Sequence, residues 1–151
     1  MRVIFLDFDG VLNSDAFFER LGPVSDWDSR LDPDAVARLN RLVAATQAKI
    51  VVSSTWRYDK SVPALARILA DFGFVGEVIG ATPVISGPRG REIQAWLDDD
   101  QSWRSYVILD DRDDMGSLKK RLVQTQEAHG LLDEHLEQAT RWLERRVFFR
   151  W

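Results

Sequence analysis

The sequence predicts a three-layer, Rossmann-like α/β fold, in which helices cover both faces of a central parallel sheet. Apolar runs without alternation, at residues 2–6, 50–52 and 106–109, are typical of strands buried on both faces. Segments with helical periodicity separate these runs. Strands that alternate with helices are joined by right-handed crossovers and lie parallel. We expect one domain over residues 1–151, because this length is usual for a single domain.

The N-terminal half supplies two of these strands and two helices. After the strand at 2–6, residues 10–31 lack clear periodicity and are predicted to be mostly loop. Asp32-Pro33-Asp34 predicts a helix start, with a capping aspartate, a proline at the first helical position and an acid in the first turn. The strand at 50–52 follows, and a second amphipathic helix is predicted at 61–72.

The C-terminal half continues the alternation. A short strand is predicted at 76–79, and the glycines and prolines within 80–90 predict a loop. The remaining predicted elements are a helix at 91–97, the strand at 106–109, a last strand at 122–123 and a helix at 132–145. His135 is expected on the exposed face of that last helix.

The composition excludes several classes of protein. The chain has no cysteine, which excludes a disulfide framework, a thiolate zinc site and a cysteine nucleophile. No apolar run is long enough to span a bilayer, and the N-terminal run is too short for the core of a signal peptide. We therefore expect a cytoplasmic protein with no membrane partner. The formal net charge of −4 argues against a surface that is basic throughout.

Polar clusters follow three of the predicted strands, at the point where each strand ends. They are Asp7–Asp9, Ser53–Thr55 and Asp110–Asp114. Ligands of open α/β sheets bind beyond the carboxyl ends of the strands. The coincidence of three clusters therefore predicts one active site at that edge of the sheet.

The acidic clusters indicate a cation site. Asp7 and Asp9 are two residues apart, so on an extended chain their side chains point the same way. Converging carboxylates repel unless a cation or a proton lies between them, and Mg²⁺ prefers such oxygen ligands. An acid from Asp110–Asp114 could complete the ligand set. The alternative for each cluster alone is a set of solvated acids in a turn.

Hydroxyls and cations in two further segments suit a phosphoryl group. Ser53, which directly follows the apolar strand, or Ser54 next to it could donate a hydrogen bond to a phosphoryl oxygen. The alternative for these serines is a turn or a helix cap. Arg57 could bind phosphate or merely solvate its loop. Arg89 and Arg91 lie at the N-terminus of a predicted helix and could neutralise a phosphoryl group, whereas a salt bridge to a nearby acid is the alternative for Arg91.

These pieces, in this order, resemble the haloacid-dehalogenase (HAD) superfamily of phosphohydrolases. The matching segments are Asp7-Phe8-Asp9-Gly10-Val11-Leu12-Asn13, Val51-Val52-Ser53 and Val107-Ile108-Leu109-Asp110-Asp111 with Asp114. More narrowly, Val51-Val52-Ser53-Ser54-Thr55-Trp56-Arg57, Arg91-Glu92-Ile93-Gln94-Ala95-Trp96-Leu97 and Leu122-Val123-Gln124-Thr125 with Gly130-Leu131 resemble the subgroup found in "Swiss army knife" RNA repair proteins.

The resemblance implies a Mg²⁺-dependent phosphatase, that is, a phosphoric monoester hydrolase. Asp7 would be the nucleophile that forms an aspartyl-phosphate, and Asp9 the general acid and then the general base. Asp9 would also ligate Mg²⁺ through its main-chain carbonyl, beside Asp7 and Asp110, while Asp111 or Asp114 would hold the metal's waters. Ser53 would hold a phosphoryl oxygen.

The sequence departs from the family pattern at its third motif, where a lysine is usual. No lysine lies between Lys60 and Lys119, so Arg89 or Arg91 is expected to take its place. This departure also motivates another hypothesis, in which the chain is a catalytically silent binding module.

Many relatives carry a cap domain over the site, but the gaps in this sequence are too short for one. We expect a capless core with a flap formed by residues 14–31. An open site suits phosphorylated RNA or DNA ends or nucleotides, and the alternative is a small-metabolite phosphatase. Phe17, Phe18 and Trp27 in the flap could stack on a base or pack the flap onto the core. The sequence does not predict an oligomeric state.

Overall fold

Five parallel strands form one sheet in the structure, a computed structural model that describes residues 1–147. The strands are β1 (Arg2–Leu6), β2 (Lys49–Val52), β3 (Val78–Ala81), β4 (Ser105–Asp110) and β5 (Leu122–Gln124). Their spatial order is β3-β2-β1-β4-β5. The first strand of the chain is therefore the centre of the sheet, and its carboxyl end lies between those of β2 and β4.

Helices cover both faces of this sheet. They are α1 (Asp15–Leu21), α2 (Pro33–Thr46), α3 (Val62–Asp71), α4 (Arg89–Asp99) and α5 (Asp133–Glu144), with 3₁₀ turns at Trp27–Ser29, Thr55–Asp59 and Gly116–Arg121. Helices α2, α3 and α5 pack on one face, while α4 and the turn at Gly116–Arg121 pack on the other. The predicted three-layer α/β fold is confirmed.

The two-residue period of β1 divides the core into two parts. Ile4 and Leu6 face α2, α3 and α5, whereas Val3 and Phe5 face α4. All four side chains are fully buried, which explains why this strand shows no alternation of apolar and polar residues in the sequence.

Several predicted boundaries move in the structure. The strand predicted at 76–79 is β3 at Val78–Ala81, an edge strand whose residues are only partly buried. Helix α4 begins at Arg89 and not at residue 91, so the loop before it is shorter than predicted. The helix predicted from Asp32 is α2, and the Asp32 side chain accepts a hydrogen bond from Asp34 N, as its capping role requires.

The prediction that residues 10–31 are mostly loop missed helix α1. This helix has seven residues and buries only Phe17, so it shows no apolar stripe. The signals that could have identified it are its caps. The Ser14 side chain accepts from Phe17 N, and Gly22 ends the helix with φ +73°.

Residues 1–147 contain no further domain over the carboxyl edge of the sheet, so the expected absence of a cap is confirmed for this part of the chain. That edge is bordered instead by α1 and the turn at Trp27–Ser29, both within the predicted flap. None of the helices described is long and apolar enough to cross a bilayer.

Candidate active site

Asp7, Ser53 and Asp110 lie side by side at the carboxyl ends of β1, β2 and β4. The strand ladder continues through them, since Asp7 N donates to the Leu109 carbonyl and Ser53 N to the Leu6 carbonyl, both at 3.0 Å. By the alternation of each strand, these three side chains emerge on the face that α4 covers. The structure therefore brings together one residue from each of the three predicted motifs.

Three acids crowd into the centre of this row. Carboxylate oxygens of Asp7, Asp110 and Asp111 all lie within 4.8 Å of one another. Asp7 is 4% exposed and Asp110 is fully buried. Burial, followed by the charge of Asp110, raises the pKa of Asp7 well above its usual range, and the same two causes raise the pKa of Asp111.

Arg89 is the cation that the structure brings to these acids. Its Nη1 lies 2.7 Å from Asp110 Oδ2 and 3.2 Å from Asp7 Oδ1. Burial alone would lower the pKa of this guanidinium, but the charges of Asp7 and Asp110 raise it above its usual value. Arg91 does not reach the acids, because its Nη1 donates to the Ser86 carbonyl at 3.0 Å in an exposed position.

The donor set of this cluster fits Mg²⁺. Three carboxylates face one guanidinium, which leaves an excess of negative charge in a buried place. Hard divalent cations prefer such oxygen donors. The residues that would hold the ion are Asp7, Asp110 and Asp111, and its charge would oppose the repulsion that raises the pKa of Asp7.

Asp114 lies outside this cluster of carboxylates. One oxygen, Oδ2, accepts hydrogen bonds at 3.1 Å from Arg89 N and from Arg112 Nη2. The Asp114 carbonyl also accepts from Gly90 N at 3.0 Å. In this structure Asp114 thus holds the first turn of α4, which carries Arg89.

Asp9 is exposed, unlike the buried acids, and two side chains hold its carboxylate. Asn13 Nδ2 donates to Oδ1 and Trp56 Nε1 donates to Oδ2, each at 3.0 Å. Neither Asn13 nor Trp56 was predicted from the sequence to have a role in the site. For Asn13, the available signals were its short spacing from Asp9 and its place in the matching segment 7–13, whereas the contact of Trp56 with Asp9 depends on the fold.

Position 10 requires a glycine because of its backbone conformation and because Asp111 lies close to it. Its φ is +80°, which side chains rarely adopt. A Cβ built there would lie 2.3 Å from Asp111 Oδ2. The Gly10 carbonyl accepts from Thr125 Oγ1 at 2.7 Å, which ties the turn after β1 to the end of β5. The turn thus closes directly onto the acid cluster.

The two serines after β2 differ in their contacts. Ser54 Oγ accepts from Trp56 N at 3.2 Å and caps the 3₁₀ turn at Thr55–Asp59. Ser53 Oγ is buried and has no hydrogen-bond partner among residues 1–147. An unpartnered buried hydroxyl is costly unless a ligand or water completes it, so Ser53 is the better placed of the two to hold a phosphoryl oxygen.

Two cavities share Asp9 and Asp28 in their linings. One, of about 490 Å³, extends along Trp56 to Phe72 at the end of α3. The other, of about 290 Å³, is bordered by Asp111 and the flap. The charged residues of both linings are mostly acids: Asp9, Asp28, Asp59 and Asp71 beside Lys60 in the larger, and Asp9, Asp15, Asp28, Asp111 and Glu127 in the smaller.

The flap aromatics were predicted either to stack on a base or to pack the flap onto the core, and they differ in burial. Phe17 is buried against Phe18, with ring centroids 5.4 Å apart. Trp27 packs edge-on against Phe18 at 5.3 Å but is 54% exposed, and it lines the smaller cavity. Phe17 therefore packs the flap onto the core, while Trp27 is exposed beside the smaller cavity.

Comparison with known proteins identifies one related family. The family model described as "HAD domain in Swiss Army Knife RNA repair proteins" matches residues 3–136. This range contains every site residue named above. Neither the search of curated proteins nor the search of solved structures gave a match.

Proposed function

Because the chain belongs to the family of HAD domains in Swiss Army Knife RNA repair proteins, we propose that it is a Mg²⁺-dependent phosphatase that uses Asp7 as its nucleophile. The observation that carries the proposal is the convergence of Asp7, Asp110, Asp111 and Arg89 at the carboxyl edge of the sheet. A buried carboxylate beside a fixed cation suits attack on a phosphate monoester, whose own negative charge must be offset.

In the first step, an Asp7 oxygen attacks phosphorus and the bond from phosphorus to the ester oxygen breaks. Asp9 donates a proton to the leaving oxygen, which departs as an alcohol. Arg89 stays beside Asp7 and opposes the negative charge of the transferring group. Ser53 donates its free hydroxyl to a phosphoryl oxygen. Mg²⁺, which Asp7, Asp110 and Asp111 would hold, would supply further positive charge to offset the negative charge of the phosphoryl group.

In the second step, water attacks the phosphorus of the aspartyl-phosphate. Asp9 takes a proton from this water, and the bond between phosphorus and the Asp7 oxygen breaks to release inorganic phosphate. Asp9 is exposed at the junction of the two cavities, so it is open to solvent and to the leaving group. Asn13 and Trp56 keep its carboxylate at this junction through their two hydrogen bonds.

The experiment that tests the chemistry measures hydrolysis of p-nitrophenyl phosphate with Mg²⁺ and with EDTA. We expect turnover that requires Mg²⁺ and that Asp7→Asn abolishes. Asp113→Asn is the matched control, since Asp113 lies in the loop after β4 but pairs with Lys119 and is not part of the acid cluster. An Asp7→Asn variant as active as the wild type would refute the proposal, as would turnover unaffected by EDTA.

For the substrate we propose a phosphorylated RNA or DNA end, or a nucleotide. The family description, which names RNA repair, supports this choice, as does the exposed Trp27 face beside the smaller cavity.

A small phosphate ester is the second candidate substrate, and the acidic lining of both cavities favours it. Negative side chains repel the further phosphates of a nucleic acid, whereas the phosphate ester of a neutral alcohol brings only the phosphate that reacts and no further negative charge into the cavities. Comparing kcat/KM for phosphorylated oligonucleotides, nucleoside monophosphates and sugar phosphates distinguishes the two candidates.

A further inference from the structure

Arg57 is buried at the carboxyl edge of the sheet, and its guanidinium has no donor left for a ligand. A guanidinium offers five N–H donors. The contacts of Arg57 occupy all five: Nε donates to the Thr82 carbonyl, Nη1 to the carbonyls of Ser53 and Ser54, and Nη2 to the Pro83 carbonyl and the Glu92 carboxylate. The four carbonyl contacts measure between 2.8 and 3.2 Å. Neither role considered from the sequence, phosphate binding or solvation of the loop, fits this arrangement.

These contacts join three separate parts of the chain. The carbonyls of Ser53 and Ser54 follow β2, and those of Thr82 and Pro83 follow β3. The fifth acceptor, Glu92, lies in the first turns of α4 and also accepts from Ile85 N at 3.0 Å. The Arg57–Glu92 ion pair is buried, with side chains 2% and 7% exposed, so water does not compete for its hydrogen bonds.

The contacts of Arg57 fix the positions of two groups that would bind the phosphoryl group. Ser53, with its unpartnered hydroxyl, is held through its own carbonyl. Arg89 lies three residues before Glu92, on the same side of α4, so fixing Glu92 fixes the position from which Arg89 reaches Asp7.

We propose that Arg57, through Glu92, is a positioning residue that sets Ser53 and Arg89 at their places around Asp7. This inference rests on the proposed phosphatase function and assigns Arg57 no contact with substrate. Lysine could not replace it, because an ammonium carries three donors on one nitrogen and cannot reach five acceptors spread around a plane.

The test compares Arg57→Lys with Arg121→Lys. Arg121 is an equally buried arginine, 6% exposed like Arg57, and it also donates to three backbone carbonyls. Those carbonyls belong to Tyr106, at the opposite end of β4 from Asp110, and to Trp142 and Arg145, at the C-terminal end of α5. Both variants should lose stability, and the loss is measured by urea unfolding.

When the activities are compared at equal concentrations of folded protein, only Arg57→Lys of these two variants should have a lower kcat. We expect kcat for p-nitrophenyl phosphate to fall roughly 10- to 100-fold with KM little changed, because small misplacements of binding groups cost rates of this order. Glu92→Gln, which keeps the side-chain shape, should show a smaller loss of kcat in the same direction. Equal kcat values for Arg57→Lys and Arg121→Lys would overturn the inference while leaving the phosphatase function intact.

Chemical rescue tests whether the guanidinium group itself, and not only a positive charge, is needed for activity. In Arg57→Ala, the guanidinium ion at millimolar concentration should restore activity several-fold, and the same concentration of methylammonium should not. If Arg57→Ala does not fold, the comparison of Glu92→Gln with the wild type decides, and an unchanged kcat refutes the inference.

A binding measurement separates failure of the inference from failure of the function. Beryllofluoride with Mg²⁺ mimics a phosphoryl group, and tryptophan fluorescence reports its binding without turnover. We expect Arg57→Lys to bind it at least 10-fold more weakly than Arg121→Lys does. Absence of both turnover and beryllofluoride binding in the wild type would overturn the function and the inference together.

Discussion

Asp7 must be ionised to act as a nucleophile, yet the protein places it where ionisation is costly. Burial and the neighbouring Asp110 raise its pKa, and Arg89 only partly opposes them. A carboxyl group whose pKa is raised on folding lowers the stability of the folded state as pH rises above its unfolded pKa, because the folded protein retains the proton longer. Without a bound metal ion, the crowded carboxylates therefore lower the stability of the folded protein at neutral and higher pH, even though Arg89 lies beside them.

We expect Asp7→Asn to be more stable than the wild type at pH 8 in EDTA. The amide removes one of the crowded negative charges, and Asp110 still pairs with Arg89. Saturating Mg²⁺ should reverse or erase the difference, because it binds the folded wild type. Urea unfolding under both conditions measures this, and a less stable Asp7→Asn in EDTA would contradict it.

Ser53 and Ser54 provide a second comparison at the scale of single residues. Ser53→Ala removes a hydroxyl that has no partner among residues 1–147, so it should leave stability nearly unchanged. It should lower kcat/KM roughly 100-fold, the usual effect of losing one donor to a developing negative charge. Ser54→Ala should instead cost about 1 kcal/mol of stability through loss of a cap, with a smaller effect on activity. The reverse pattern in paired unfolding and kinetic assays would assign the phosphoryl group to Ser54.

At the scale of elements, the turn after β1 combines a backbone requirement with a steric one. Gly10→Ala should lose about 1–2 kcal/mol from its positive φ, and Gly22→Ala, with φ +73° and nothing within 4 Å, should lose a similar amount. Only Gly10→Ala should also weaken Mg²⁺ binding, because its new Cβ would displace Asp111. Equal Mg²⁺ affinities of the two variants, measured by calorimetry, would show that the close approach is unimportant.

The start of α5 contains a titratable side chain, His135, whose predicted exposure was wrong. His135 was expected on the exposed face, but it is buried, and its Nδ1 accepts from Leu132 N at 2.9 Å. His135 is the third residue of α5, and from this position its side chain reaches back to the backbone N–H of the cap residue, Leu132. Burial lowers the pKa of His135 in the folded protein.

This cap should make stability depend on pH. The unfolded chain binds the histidine proton below about pH 6.5, whereas the folded protein resists it, so stability is lost as pH falls through that value. Between pH 7.5 and 5.5, the wild type should lose more stability than His135→Gln, which keeps an acceptor. His129→Gln, in an exposed loop, is the control and should behave as the wild type. Parallel pH dependences of all three proteins would exclude a role for the cap.

At the scale of the whole molecule, the distribution of charge bears on the substrate. Asp28 and Asp71 line the larger cavity beside Asp9. If an oligonucleotide passes there, replacing both with asparagine should raise kcat/KM for a phosphorylated oligonucleotide several-fold at low salt, since fewer negative charges repel it. The value for p-nitrophenyl phosphate should barely change. No gain for the oligonucleotide would show that it takes another path or is not the substrate.

The sequence by itself determined the fold class and the order of the site motifs. Strands β1, β2 and β4 are buried on both faces, so their apolar runs are continuous. The polar residue that directly follows each apolar run identifies the carboxyl edge of the sheet. Asp7, Ser53 and Asp110 could be proposed together for this reason. Helix α1 escaped prediction because it buries a single residue and therefore carries no periodic pattern.

Only the tertiary structure decided which side chains complete the site. The sequence could not choose between Arg89 and Arg91, because the start of α4 and its packing place one guanidinium on the acids and leave the other exposed. It could not foresee the Trp56 contact with Asp9 or the five contacts of Arg57 either. Such contacts join residues distant in the chain, and their geometry is set by how the ends of neighbouring strands and a helix meet, which local patterns do not encode.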